Sequence, residues 1–173
     1  MIPNNYILYF IVGIYLVYFI GLIIPIRKYG IIPRKQKGLI GIVTAPLLHS
    51  SWKHLVSNTV PILVLLFTLH YSYPTIAIKV IAIVLFLGGF LVWLLGRNAN
   101  HMGASGLIYG LATFIIVNGF LSNTLQPLLV SVIVLILYGG LLWGIFPSSK
   151  KNTSWEGHLL YAIAGVFAVY YFK

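Results

Sequence analysis

Long apolar stretches separated by short polar or basic segments account for almost the whole chain. A helix needs about 20 apolar residues, at ~1.5 Å each, to cross the hydrocarbon core of a bilayer. Six stretches approach that length: about Tyr6–Ile26, Lys53–Leu69, Thr75–Leu95, Ser105–Leu121, Leu128–Phe146 and Trp155–Phe172. The pattern therefore predicts an all-α membrane protein of six transmembrane helices. The first connection, Arg27–Lys37, is polar and basic. Gly38–Leu48 is apolar but short and contains Pro46, which suits a re-entrant or interfacial segment better than a span. His70–Pro74 (HYSYP) ends the second span, and Gly96–Ala104, SNTLQP and PSSKKNTS make the later connections. Span 1 lacks a basic leader and a small-residue cleavage site, so it is expected to be retained. No repeat or linker divides the chain, which predicts one domain over residues 1–173.

The fourth stretch is short. Its 17 residues reach roughly 25 Å, less than the ~30 Å hydrocarbon core. A recessed fourth helix is expected, with Ser105 at its start below the membrane surface. Parity then sorts the loops. The connections after spans 1, 3 and 5 share one side with the starts of spans 2, 4 and 6. Trp52, Trp93, Trp143 and Trp155 all fall at that end, as an interfacial aromatic belt would.

Composition agrees with the pattern. The chain is 60% apolar and 7% charged, against about 25% charged in ordinary soluble domains. Mean hydropathy is +1.01. There are 11 Lys and Arg, no Asp and a single acid, Glu156. One carboxylate excludes aspartyl-protease dyads and carboxylate glycosidases, and the HExxH zinc motif is absent because the only Glu lies elsewhere. A buried Asp/Glu proton relay is disfavoured for the same reason. The chain has no Cys, hence no thiol nucleophile or thiolate metal site. Its +10 charge flanks apolar runs, which points to lipid headgroups rather than nucleic acid.

Polar residues inside or beside spans are costly and are functional candidates. Three clusters share the side defined above: HSSWKHLVSN with His49, His54 and Asn58; GASG with Ser105 between Gly103 and Gly106, followed by Tyr109; and WEGH with His158. Ser105 at a helix start is either an N-cap or a nucleophile near backbone N–H groups and the positive end of the helix dipole. A serine nucleophile needs a base, and His158 lies at a similar depth. No Asp can orient that histidine, and Glu156, two residues away, points to another helix face. The unit is then a Ser–His dyad. His54 and Asn58, spaced i and i+4, share a helix face and can both donate hydrogen bonds. They suit either an oxyanion site or a polar helix–helix contact. His49 suits support of its loop or the admission of water. A site joining His49, His54 and His101 matches no familiar zinc spacing, and His70 lies on the other side with no assigned role.

Taken together, HSSWKHLVSN, GASGLIYG and a histidine near the start of the last span resemble the rhomboid intramembrane serine proteases, over about residues 38–173. The resemblance implies a rhomboid-like bundle in the cytoplasmic membrane of a prokaryote. It assigns Ser105 as nucleophile and His158 as general base. It gives His54, Asn58 and the Ser105 backbone N–H the oxyanion hole, stacks Tyr109 on His158, and makes His49, Gly103 and Gly106 supporting residues. It implies hydrolysis of a peptide bond in or near a substrate protein's transmembrane helix, with no metal, organic cofactor or obligate protein partner. The alternative is a catalytically silent rhomboid-like protein that binds transmembrane helices. Two departures bear on that choice. The first loop has no Trp-Arg pair, and Tyr161 stands where the family has Gly. A tyrosine facing span 4 would obstruct the approach of Ser105 to His158 unless Gly110 made room. Charge adds an open question. Nine cations, Lys150 and Lys151 among them, lie on the side of the clusters and two on the other. The positive-inside rule makes the clusters' side cytoplasmic, whereas the resemblance makes it extracytoplasmic.

Overall fold

The computed structural model describes residues 5–147 and 154–173; Lys150, Lys151 and most of the PSSKKNTS loop lie outside them. The described residues form α1 (Asn5–Ile23), α2 (Gly41–Thr44), α3 (Trp52–Ser72), α4 (Ala77–Leu95), α5 (Ser105–Phe120), α6 (Leu125–Tyr138) and α7 (Trp155–Phe172). No strand occurs among them, only an isolated bridge between Ile31 and His101.

Three helices, α1, α3 and α4, are long and apolar enough to cross a membrane on length and composition. The fifth and sixth are shorter apolar helices, and Glu156 and His158 lower the hydropathy of α7. Helix α5 is short, at 16 residues, and α6, at 14, is shorter still. The fifth stretch also differs from its predicted bounds. Its helix starts at Leu125 and gives way at Gly139 to a 3-10 segment, Gly139–Ile145. The second stretch runs past His70 to Ser72 because the ring is buried, with Nδ1 3.3 Å from the Tyr6 hydroxyl of α1. Gly38–Leu48 does not span. It folds as short 3-10 turns around α2, with Ile42 packed where Gly89 of α4 lacks a side chain.

Helix α5 is the centre of the bundle. It packs most extensively on α7 and α6, and also on α3 and α4. Leu107, Ile108, Leu111, Phe114 and Ile115 are buried on several of its faces, as expected of a helix that is apolar all round and enclosed by protein. Helix α1 is equally apolar, yet only Ile7 and Ile14 are buried, so it is peripheral.

Small residues set the spacing of α4, α5 and α7, as at membrane helix contacts generally. A Cβ on Gly165 of α7 would run into the Gly110 carbonyl of α5. Tyr161 does face α5, but its ring lies between Gly88 of α4 and Gly106 of α5, where a Cβ would stand 2.5 and 2.6 Å from ring carbons. The room for the ring thus comes from Gly88 and Gly106. Gly110 instead meets Gly165 and the Tyr161 backbone. Gly165→Val should lower the thermal midpoint of the purified protein, with a cost at or above the ~1–3 kcal/mol usual for overpacking, because the neighbour is backbone and cannot turn aside. An unchanged midpoint would mean the helices are not this close.

The first loop is tied to the end of α4. The Arg34 guanidinium donates to the Leu94 and Gly96 carbonyls at 3.0 and 2.9 Å, satisfying oxygens that the helix end leaves open. Trp93 Nε1 donates in return to the Lys35 carbonyl at 2.9 Å. Ile31 and His101 exchange both backbone hydrogen bonds at 2.9 Å. The loops following α1 and α4 therefore meet at one end of the bundle, together with the start of α7.

Candidate active site

The turn into α5 delivers Ser105. Gly103 has φ +117°, a backbone region that residues with a side chain rarely enter. A Cβ there would also stand 2.6 Å from His54 Cε1. The Gly103 N–H donates to the Ala45 carbonyl at 2.8 Å, which pins the turn to the first loop. Ala104 takes the N-cap position and Ser105 is the first helical residue. The N-cap reading of Ser105 is therefore corrected, and its hydroxyl points instead to α7.

Ser105 Oγ lies 3.1 Å from His158 Nε2. His158 Nδ1 lies 3.0 Å from the Gly144 carbonyl oxygen. A carbonyl only accepts, so Nδ1 carries the proton and Nε2 presents its lone pair to the serine hydroxyl. The Tyr109 ring stacks on the imidazole with centroids 4.0 Å apart and planes 8° apart. Gly144 leaves no space for a side chain, since a Cβ would overlap the Tyr109 hydroxyl. Tyr161, one turn beyond His158, does not separate the pair.

His54 and Asn58 lie behind the Gly103 turn, one helical turn apart on α3. The Ser51 hydroxyl caps α3 by accepting the His54 N–H at 3.2 Å, and Ser50 Oγ stands 3.3 Å from His54 Nδ1. That leaves the Cε1–Nε2 edge facing Gly103. Asn58 is 6% exposed, and its buried Nδ2 has no hydrogen-bond partner. An unsatisfied buried amide costs about 1–3 kcal/mol, so its retention here fits a donor kept for something that visits the site. His49 supports the loop. Its Nδ1 lies 3.4 Å from the Leu47 carbonyl, and its Nε2 accepts the Ala104 N–H at 3.5 Å. Burial, with the His54 ring alongside, pushes its pKa down to about 4, which keeps the ring neutral and Nε2 an acceptor at neutral pH.

A cavity of about 30 Å³ lies beside the pair, lined by Ser105, His158, Tyr161, His101 and Ser154 among others. That is room for about one water with polar partners. Of the sequence candidates, Ser105, His158 and Tyr109 form one contact set, Gly106 packs on the Tyr161 ring beside it, and His54, Asn58, His49 and Gly103 form the adjoining wall. Sequence reasoning missed Gly144, whose carbonyl takes the orienting place that an Asp would fill. The only sequence signal was the glycine pair Gly139–Gly140 and Gly144 late in an apolar run. It weighed His101 only as a member of a histidine metal site, whereas both ring nitrogens are engaged within the protein: Nδ1 with Ser154 Oγ at 2.6 Å and Nε2 with the Arg97 carbonyl at 3.0 Å.

A family model described as the rhomboid domain matches residues 36–173. The chain belongs to the rhomboid family. It is 40% identical over 149 residues to uncharacterized proteins of Mycobacterium bovis and Mycobacterium tuberculosis, covering 82% of this chain and 62% of theirs. It is 38% identical over 168 residues to an uncharacterized protein of Mycobacterium leprae, covering 90% of this chain and 66% of that one. This rhomboid-family chain thus spans less than two thirds of the length of these relatives. The rhomboid match contains all of the site described above and most of the first loop, including Gln36 to Ala45.

Proposed function

We propose that this rhomboid-family protein is an intramembrane serine endopeptidase, built as one six-span domain over residues 1–173 with the serine on a recessed fourth span. The reading rests on one observation: Ser105 Oγ lies 3.1 Å from the unprotonated nitrogen of His158, whose other nitrogen is committed to the Gly144 carbonyl.

The chemistry follows from that pair. Ser105 Oγ attacks the scissile carbonyl carbon as its proton passes to His158 Nε2. The carbonyl oxygen becomes an oxyanion and accepts hydrogen bonds from the Ser105 backbone N–H, His54 and the otherwise unpartnered Asn58 Nδ2. His158 then returns its proton to the leaving amine, and the C–N bond breaks to leave an acyl-serine. Water, deprotonated by the same nitrogen, releases the acid and restores Ser105. Tyr109 holds the imidazole plane by stacking, and Gly103, Gly106 and His49 hold the turn that presents the serine.

A substrate whose peptide bond reaches Ser105 must expose that bond at the membrane-embedded end of the bundle. A transmembrane helix of another membrane protein, unwound near its end, meets that requirement. The cytoplasmic membrane of a prokaryote is the proposed location. A catalytically silent helix-binding role is motivated by Tyr161 and by the first loop, which has no Trp-Arg pair. The Tyr161 ring is housed between Gly88 and Gly106, so the first of these grounds no longer argues against the dyad.

The test is cleavage of a transmembrane-helix substrate by purified protein in lipid vesicles. A cut within or next to the helix is expected. An intact substrate, tested across several helices with folded protein, would overturn the proposal.

A further inference from the structure

His101 lies outside the Ser105–His158 pair and outside the wall formed by His54 and Asn58, yet all four of its polar groups are committed. Its backbone N–H and carbonyl exchange hydrogen bonds with Ile31 in the first loop, each 2.9 Å. Its Nε2 lies 3.0 Å from the Arg97 carbonyl within its own loop. Its Nδ1 lies 2.6 Å from Ser154 Oγ, immediately before α7. Burial lowers its pKa, which favours the neutral ring, with Nε2–H donating to Arg97 and Nδ1 accepting from the serine hydroxyl. The ring is thus a knot joining three chain segments at the end of the bundle that carries the site.

The third segment leads to the dyad. The carbonyl of Ser154 accepts the backbone N–H of His158 at 3.1 Å. A second tie runs parallel: Arg97 Nε is 3.4 Å from Glu156 Oε1, one residue from Trp155 at the start of α7. His158 sits in this first turn, where helices fray and few backbone bonds hold the chain. Farther along, α7 is held by Tyr161 and Gly165 against α4 and α5. The first turn is held instead by the Ser154–His101 and Glu156–Arg97 ties, and by the bond of His158 to Gly144 and its stacking on Tyr109.

We infer that His101 is a positioning residue: through Ser154 it sets the register of the first turn of α7, and so the distance from His158 to Ser105. The inference rests on the protease reading for its kinetic consequence, but not for its structural one. A shift of about 1 Å between reacting groups can cost on the order of 10²-fold in rate. His101→Ala should therefore lower kcat by about tenfold to a hundredfold, with KM within about twofold of wild type.

The experiment uses the full chain in detergent or vesicles, at a temperature where each variant is folded. It compares His101→Ala, Ser154→Ala, the double variant and His101→Asn. Because His101 acts through Ser154, the two alanine variants should share one kcat defect and the double variant should be no worse. Asn places an acceptor near the position of Nδ1 and should recover part of the rate. Backbone amide hydrogen exchange supplies a readout that needs no activity: the His158 amide, bonded to the Ser154 carbonyl, should exchange faster in His101→Ala than in wild type. Unchanged exchange together with wild-type kcat, additive defects, or a loss confined to KM would overturn the inference. If His101→Ala does not fold, Ser154→Ala and His101→Asn decide it on the same readouts. A wild type without proteolysis would sink the protease reading, and the exchange result would still decide the role of His101.

Discussion

Ser105→Ala and His158→Ala are each expected to lower proteolysis by on the order of 10⁴- to 10⁶-fold, and the double variant to be no worse than either. The reason is the geometry of one hydrogen bond. A serine hydroxyl is a poor nucleophile until its proton has somewhere to go, and among the described residues the base bonded to it is His158 Nε2, 3.1 Å away. Without that base the hydroxyl stays protonated. Without the hydroxyl the base has nothing to activate. Either loss removes the whole unit, so the effects do not add. Both variants should keep the wild-type fold, since the bond joins the ends of α5 and α7 beside a small cavity, away from the Gly110–Gly165 contact that sets their spacing. The check is turnover of a transmembrane substrate alongside a thermal midpoint. Two independent, additive losses would mean that the residues do not act together.

Asn58→Leu is expected to lower kcat by about 10²- to 10³-fold, the usual cost of one oxyanion donor, without lowering stability. These two effects normally run together, and here they should separate. Asn58 Nδ2 is buried and has no partner in the resting site. On the proposed mechanism, its hydrogen bond forms only when negative charge develops on the substrate oxygen. In the resting protein the bare amide is a liability, and an apolar side chain of similar shape relieves it, so the midpoint should stay level or rise by the equivalent of about 1 kcal/mol. A variant that is fully active, or one that loses activity only because it melts, would remove Asn58 from the oxyanion site. Titrating activity and midpoint on the same preparation distinguishes these results.

Much of the site was legible in the sequence because polar residues are rare in so apolar a chain. Ser105, His158, His54 and Asn58 stand out individually, and the parity of crossings brings them to one end. Tyr109, four residues after Ser105, follows from helical spacing and does stack on His158. The partner of His158 was not legible. It is the carbonyl of Gly144, and a carbonyl belongs to every residue, so no side chain marks it. The 3-10 segment that brings it there replaces what reads as a continuing apolar helix. His101 was weighed only for a metal site, because its contacts with Ile31 and Ser154 are distant in sequence.

The arrangement of the helices was illegible for a related reason. Helices α1 and α5 are both apolar all round, so neither shows a stripe to say which is enclosed and which is peripheral. The glycines of α4, α5 and α7 hold that answer, but only in combination. Tyr161 reads as an obstruction when set against Gly110. It becomes a fitted ring once Gly88, on a different helix, is seen to lack a side chain opposite it. Helix ends were misplaced where a distant contact decides them, as with His70 and Tyr6.

The most direct test of the central claim is reaction of the purified, folded protein with a fluorophosphonate probe, followed by mapping of the adduct by mass spectrometry. The account predicts a single covalent adduct on Ser105, absent from Ser105→Ala and absent or strongly slowed in His158→Ala. An unlabelled wild type, or an adduct on another residue that survives both substitutions, would contradict it.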